Sequence, residues 1–391
     1  MLKRIFHRNH IYLTIISIVL MWTFGQLVKN ISFFNPVSRA VKNFSLSDIY
    51  YQMMKDAGYS QPSDIITIID ATSLYDRSKI GDMMLQVSSL EPAVVGVDCI
   101  YEGFRGDTIG TNRLAEGLFS LPKPVVAFKL TNYDQEIGEF TQQRHSFFAP
   151  MDGIGEGYSN VSYDAGGITV RSLVTKRVVN GDTLLSLPYQ IGSAYTDDVK
   201  DMASTRPFMI DYTPTDFPVV HCDSIMQNAD KIRGRIVIIG ATHDDADMHS
   251  SPYGRIPGTV IQAYILQTLL EHEPIKEVPV VWTVIISLFF IWLTDVMQTE
   301  ISYFGSKQKR PFVKLMLTSA FTKNIINFIW INILVYINFL VFNLYSIYFN
   351  PSTMLWCIAL LVEARLFYNS ARATLMVRKM NKEKKMLLLN K

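Results

Sequence analysis

Apolar residues form four long, nearly unbroken runs, and the stretch between the first two has a different rhythm. The runs are 11–28 (IYLTIISIVLMWTFGQLV), 279–297 (PVVWTVIISLFFIWLTDVM), 325–348 and 351–368. A helix needs about 20 apolar residues to cross the hydrocarbon core of a bilayer. Apolar side chains occupy every face of these runs, whereas a surface helix of a soluble domain keeps a polar side. The pattern predicts four transmembrane helices. They leave a stub at 1–10, a large segment at 29–278, a linker at 298–324 and a tail at 369–391.

Within 29–278 the apolar runs are short and rich in β-branched residues: IITIID (65–70), AVVGVDCIY (93–101), VVAFKL (125–130) and RIVIIGAT (235–242). Near-continuous apolarity predicts strands covered on both faces, as in parallel sheets. Helix-like patterns at 77–90, 111–119 and 183–195 alternate with them. A last helix opens at Pro257-Gly258, with Ile261, Ile265 and Leu269 on one face. Such alternation predicts a three-layer α/β domain. Asn180-Gly181 is the turn dipeptide of a hairpin, so the sheet is expected to be mixed but largely parallel. The expected fold class is thus an α/β domain between helices, joined to a transmembrane bundle of four spans.

Charge changes the picture by orienting it. Only 18% of the 391 residues are charged, below the roughly 25% of a soluble domain. Residues 30–278 carry 20 Lys+Arg and 31 Asp+Glu, a net −11, and the flanks carry 17 and 4, a net +13. Cytoplasmic segments beside membrane helices are the Lys/Arg-rich ones. Stub, linker and tail hold these cations, so they are expected in the cytoplasm, with 29–278 outside. The first run also has the basic start of a signal peptide, but no small-x-small cleavage site follows in QLVKNISFF, which favours an uncleaved anchor. The whole-chain charge of +2 implies no nucleic-acid partner.

Candidate chemistry is sparse. Asp70 ends the first strand, Asp98 lies late in the second, and THDDADMHSSPYG follows the last. Ligands in open α/β sheets bind beyond the carboxyl ends of strands, so these acids are candidates to share one rim. Capping of the next turn is the alternative for each. His243, Asp245 and His249 are weak candidates to hold a divalent ion, in an order that matches no metal motif. No nucleotide, hydrolase or metalloprotease signature occurs, so neither an enzyme nor a cofactor is expected. Cys99 and Cys222 share the outer segment, where one disulfide is conceivable, but Cys99 reads as a small core residue.

Three blocks carry a resemblance. VVGVDCIYEG, then EGYSNVSYDAGGITVRSL with Asn160, Val161, Asp164, Gly167 and Arg171, and finally GRIVIIGATHDDADMHSSPYGRIPG resemble the CHASE2 family of bacterial extracytoplasmic sensory domains. The third block places Gly240, Ala241, Thr242, Asp247, Pro252, Gly254, Pro257 and Gly258 on the family pattern. Gln262 and Tyr264 stand where that pattern has His and Asn, Ser251 where it often has Thr, and Asp211 where it has Asn. The resemblance implies a multi-pass protein of the bacterial inner membrane with its sensory domain outside. Together with the strand-end argument, it leaves Asp70, Asp98, Thr242, Asp247 and Arg171 as the candidate ligand residues. Family members typically continue into a cytoplasmic output module. The roughly 22 residues after the last run are too short for one, so a separate protein partner is expected to carry the output.

The apolar runs carry polar residues of their own. Asn327 and Asn338 fall on one helical stripe of the third run, Asn332 and Asn343 on another. One stripe is expected to face the neighbouring spans and the other a different protein, unless all four amides are satisfied within the bundle. Glu363 lies in the fourth run beside Arg365, where both are expected to reach for the interface or one to serve a partner. Asp295 reads as interfacial. Two functions fit: an input sensor for an unidentified ligand or envelope protein, and a non-sensory subunit of an envelope complex. Either is compatible with lipid contact and with a homo-oligomer.

Overall fold

The computed structural model describes residues 7–30, 45–103, 106–136, 138–148, 151–162, 169–271 and 275–389. The chain divides into two units, one of Lys42–Lys276 and one of Met1–Val41 with Glu277–Lys391.

The Lys42–Lys276 unit is α/β. Its strands of three or more residues, in chain order, are β1 (Ile66–Asp70), β2 (Val94–Val97), β3 (Pro124–Asp134), β4 (Glu139–Arg144), β5 (Gly155–Tyr158), β6 (Lys176–Val179), β7 (Asp182–Leu185), β8 (Val219–His221), β9 (Ile236–Gly240), β10 (Met248–Ser251) and β11 (Gly254–Pro257). The main sheet runs β8-β1-β9-β2-β3-β4, with β5 also on β3. All its pairings are parallel except β3–β4. The largely parallel sheet expected from the apolar runs is therefore present. Every residue of β1, β2 and β9 is buried, as central strands covered on both faces must be.

The expected hairpin is β6–β7. Asn180 and Gly181 both take positive φ, 53° and 90°, as the two-residue turn requires. The helix expected over 183–195 begins later, at Leu187, because 183–185 belong to β7. The β10–β11 hairpin, β5 and edge strand β8 were not expected.

With α1 assigned to Arg8–Asn30 of the other unit, the helices here are α2 (Leu46–Asp56), α3 (Arg77–Ser89), α4 (Thr108–Ser120), α5 (Leu187–Tyr195) and α6 (Gly258–Leu270). Asp76 caps α3 by accepting from the Lys79 amide, and Asp107 caps α4 by accepting from that of Gly110. The latter cap starts α4 three residues before the expected 111. α3 and α4 cross closely at two glycines; a Cβ on Gly117 would lie 2.6 Å from the Gly81 carbonyl oxygen. The main core joins α3 and α4 to the sheet through Met84, Val87, Leu114, Leu118, Val95, Val97 and Ile239.

The second unit is helical: α1, then α7 (Val280–Ser306), α8 (Pro311–Thr318), α9 (Ala320–Tyr345), α10 (Ser352–Ala359) and α11 (Leu361–Leu389). The four expected spans are not reproduced. Among the described residues, α7 and α9 are long and apolar enough to cross a membrane, and a third span is added if α10 and α11 count as one. The fourth run is not one straight helix, because it breaks by 51° between Ala359 and Leu361. The first run forms α1 but is not among the helices that meet both criteria.

Several polar groups of this unit face inward. Asp295 of α7, expected at the interface, is fully buried. His10 of α1 meets its carboxylate at 2.6 Å. Arg365 of α11 pairs with the same carboxylate and donates to Thr299 Oγ1 at 3.0 Å. Arg365 thus turns into the bundle rather than toward an interface, while Glu363 is exposed. Of the two amide stripes of α9, one bonds to its neighbours within this unit. Asn327 donates to the Ile358 carbonyl at 3.0 Å and Asn338 to that of Phe349 at 3.0 Å. Asn332 and Asn343, on the other stripe, are exposed, and Asn332 bonds back to the Phe328 carbonyl of its own helix.

Candidate functional site

A cavity of about 540 Å3 opens at the carboxyl ends of β2, β3 and β9. That is where ligands enter open α/β sheets. Its wall is built by local rules. Past the end of β2, the Asp98 amide still donates to the Ile239 carbonyl at 2.8 Å, which holds its carboxylate beside β9. Thr259 of α6 donates to Asp98 Oδ2 at 3.3 Å. Gly240 permits this, since a Cβ there would overlap the Thr259 hydroxyl.

The loop after β9 folds on its own acids. Asp244 accepts from the Ala246 amide at 2.9 Å and begins a single 3-10 turn. The turn delivers Asp247 to the first residue of α6. His249 Nε2 lies 3.4 Å from Asp247 Oδ1. One helical turn beyond Gly258, Gln262 enters the same cavity. It is only 2% exposed. Its Nε2 donates to the Ser159 carbonyl at 2.9 Å, and its Oε1 has no hydrogen-bonding partner among the described residues.

The lining carries charges of both signs. Burial, and then the neighbouring Asp247 carboxylate, push Asp98 up to about 7, against the Thr259 hydroxyl and the Lys129 and His249 charges. Lys129 and Arg144 also line the cavity. Arg144 is ion-paired with Glu102, whereas Lys129 has no ion-pair partner among the described residues.

The candidate acids separate into two groups. Asp98 and Asp247 share the cavity. Asp70 does not line it; buried at the end of β1, it accepts from the Thr72 amide at 3.0 Å and the Thr242 amide at 3.2 Å, and meets His243 Nδ1 at 3.1 Å. Burial works against its charge, but the Thr72 and Thr242 hydrogen bonds prevail and hold it down at about 2. Asp70, Thr242 and His243 thus form a clip between two strand ends. Arg171 is elsewhere again. Its Nε donates at 2.8 Å to Asp48 of α2 in a largely buried ion pair. Asn160 pairs both ways with the Leu130 backbone, replacing a strand neighbour beside β3. Asp164 and Gly167 lie outside the described residues.

His243, Asp245 and His249 do not gather around one point. Among the described residues, only the consecutive His221, Cys222 and Asp223 bring three such ligand atoms within 4.8 Å of one another. Cys99 and Cys222 are free thiols, with burial pushing Cys99 up to about 12. Among the departures noted in the sequence, only Gln262 lines the cavity. Tyr264 instead packs on Tyr212 and Phe217, and Asp211 holds the Thr213 turn. The contribution of Lys129 was missed, although its place in VVAFKL, a lone cation between buried Phe128 and Leu130, is visible in the sequence.

The fold and cavity define an α/β domain with a polar pocket at its strand ends, in a chain that also holds membrane-length apolar helices. Residues 16–297 match the family model of the CHASE2 domain, and the chain belongs to that family, whose domains are extracellular and sensory. No curated protein and no solved structure matches the chain.

Proposed function

We propose that this protein is a membrane-anchored extracytoplasmic sensor whose Lys42–Lys276 unit takes a small ligand into the Asp98–Asp247–Gln262 cavity. The observation that carries the reading is that cavity, open at the strand ends of a domain whose family is sensory. The unit stands outside the cytoplasmic membrane, and the cations of the linker (Lys307, Lys309, Arg310, Lys314) and the tail (Arg372, Arg378, Lys379) stand in the cytoplasm. A ligand changes such a protein only through different affinities for two conformations. A partner protein reads the change, and the exposed Asn332–Asn343 stripe of α9 is the surface offered to it within the bilayer. The chain has no catalytic role in this scheme.

Two measurements test the reading. A thiol tag beside Lys200 is expected to react with a membrane-impermeant reagent in intact cells; reaction only after lysis overturns the placement. A low-molecular-weight cell extract is expected to raise the melting temperature of the full chain in detergent and to change the yield of its cross-linked partner. A stoichiometric complex indifferent to any small molecule identifies a structural subunit instead.

A further inference from the structure

The cavity has a chemical bias that narrows its ligand. Its lining presents acceptors: the Asp98 and Asp247 carboxylates and the buried Gln262 side-chain oxygen. A side-chain amide oxygen that is buried and left without a donor costs free energy, so its site wants an N–H or O–H from outside the protein. Gln262 cannot turn to relieve this without giving up the Ser159 carbonyl that its own amide nitrogen serves. Two carboxylates sharing the same wall repel an anion and favour a cation. Asp98 behaves accordingly, pushed up to about 7 by burial and by Asp247, which outweigh the Thr259 hydroxyl and the Lys129 and His249 charges. A bare divalent ion fits poorly, because Asp98, Asp247 and His249 do not form a set of ligand atoms close enough to share one, among the described residues. An ammonium group, with its several N–H donors spread around one nitrogen, reaches separated acceptors that a single metal ion cannot. The same cavity is lined by Lys129, exposed on β3 and free of any ion pair among the described residues, and by Arg144.

We propose that the cavity binds a small zwitterion of the amino-acid type, its ammonium group held by Asp98, Asp247 and the Gln262 oxygen and its carboxylate by Lys129. This rests on the reading of the cavity as the sensory site.

The test is binding to the full chain in detergent micelles, followed by melting temperature and calorimetry. The probes are the standard α-amino acids, β-alanine and γ-aminobutyrate as zwitterions, putrescine as ammonium only, glutarate as carboxylate only, and calcium chloride. At least one zwitterion is expected to bind more tightly than putrescine, glutarate and calcium. Asp98→Asn and Gln262→Met are each expected to weaken it about tenfold or more. Lys129→Met, at an exposed position, is expected to weaken the zwitterion and leave putrescine unchanged. The melting temperature of each unliganded variant separates lost binding from lost folding, and Lys129→Met decides if the two buried variants misfold. Calcium, putrescine or glutarate binding in preference to every zwitterion overturns the proposal, as does zwitterion binding that Asp98→Asn and Lys129→Met leave intact. If a low-molecular-weight cell extract stabilises the chain through Asp98 while no zwitterion does, the ligand class falls and sensing stands. If neither binds, both fall.

Discussion

The carboxylate of Asp247 occupies the space that a side chain on Gly258 would need: a Cβ there would lie 2.6 Å from Oδ2 and 3.1 Å from Cγ. The ten residues that separate the two positions form the β10–β11 hairpin, so the loop and the start of α6 are built around this contact. The carboxylate also sits at the first turn of a helix, where the backbone dipole favours negative charge.

That contact makes a sign-reversal prediction. Gly258→Ala alone is expected to destabilise the chain by about 1 kcal/mol, because Asp247 must move and takes His249 with it. In an Asp247→Ala background the same substitution is expected to stabilise by up to about 1 kcal/mol, since alanine is the better helix residue and the obstacle is gone. A thermal or denaturant double-mutant cycle reads the difference. Equal effects in both backgrounds would show that the two residues do not compete for space.

Asp98 gives the cavity a pH signature. Its folded value near 7 lies above the usual 3.8, so the folded state holds this proton over a range where the unfolded chain has lost it. The stabilisation it brings is complete below about pH 4 and is lost as pH rises through 7, on the order of 2–4 kcal/mol. Asp98→Asn, which cannot ionise, is expected to be the more stable protein at pH 8 and to flatten the loss between pH 5 and 8. Melting curves of both proteins across that range check it.

Asp70 has the opposite sign. Held at about 2, it stabilises the fold above its unfolded value near 4 and ceases to do so as pH falls toward 2. Asp70→Ala removes the acceptor of two backbone amides at the joined ends of β1 and β9. It is expected to cost about 2–4 kcal/mol at pH 7 and much less at pH 2.5. A loss independent of pH would place the effect in packing instead.

How much of this was legible follows from how local each feature is. β1, β2 and β9 declare themselves because burial on both faces leaves no polar position to interrupt the run. β5 does not, because its sequence GEGY carries two glycines. Gly157 must be one, since a Cβ there would lie 2.5 Å from the Leu187 Cα. The acids of the strand ends were visible as a group, but not their division. Thr72 and Thr242 claim Asp70, while Asp98 is left facing Asp247, and only the order of β9 between β1 and β2 decides that. Gln262 stood out as a departure from the family pattern, and the geometry supplies the reason to look there. Arg171 drew attention through its motif, yet its partner is Asp48, 123 residues earlier. The charged network of the helical unit was hidden most completely, since His10 lies 285 residues from Asp295 and Arg365 lies 70.

That network carries the last prediction. Asp295 is fully buried in α7, with His10 from α1 on one oxygen and Arg365 from α11 on the other. Taking away one partner of a buried pair strands the other charge, which costs about 3–5 kcal/mol, whereas replacing both with apolar groups costs far less. Asp295→Ala is therefore expected to lower the melting temperature of the full chain in detergent sharply. Adding Arg365→Met is expected to recover more than half of that loss. Glu363→Gln, two residues before Arg365 but on the exposed side of α11, is expected to stay within about 0.5 kcal/mol of the parent. Tryptophan fluorescence during unfolding follows all three, because Trp330 packs beside the core of this unit. If Asp295→Ala proves as mild as Glu363→Gln, the three helices are held by apolar packing alone and the buried charges have no structural share in the bundle.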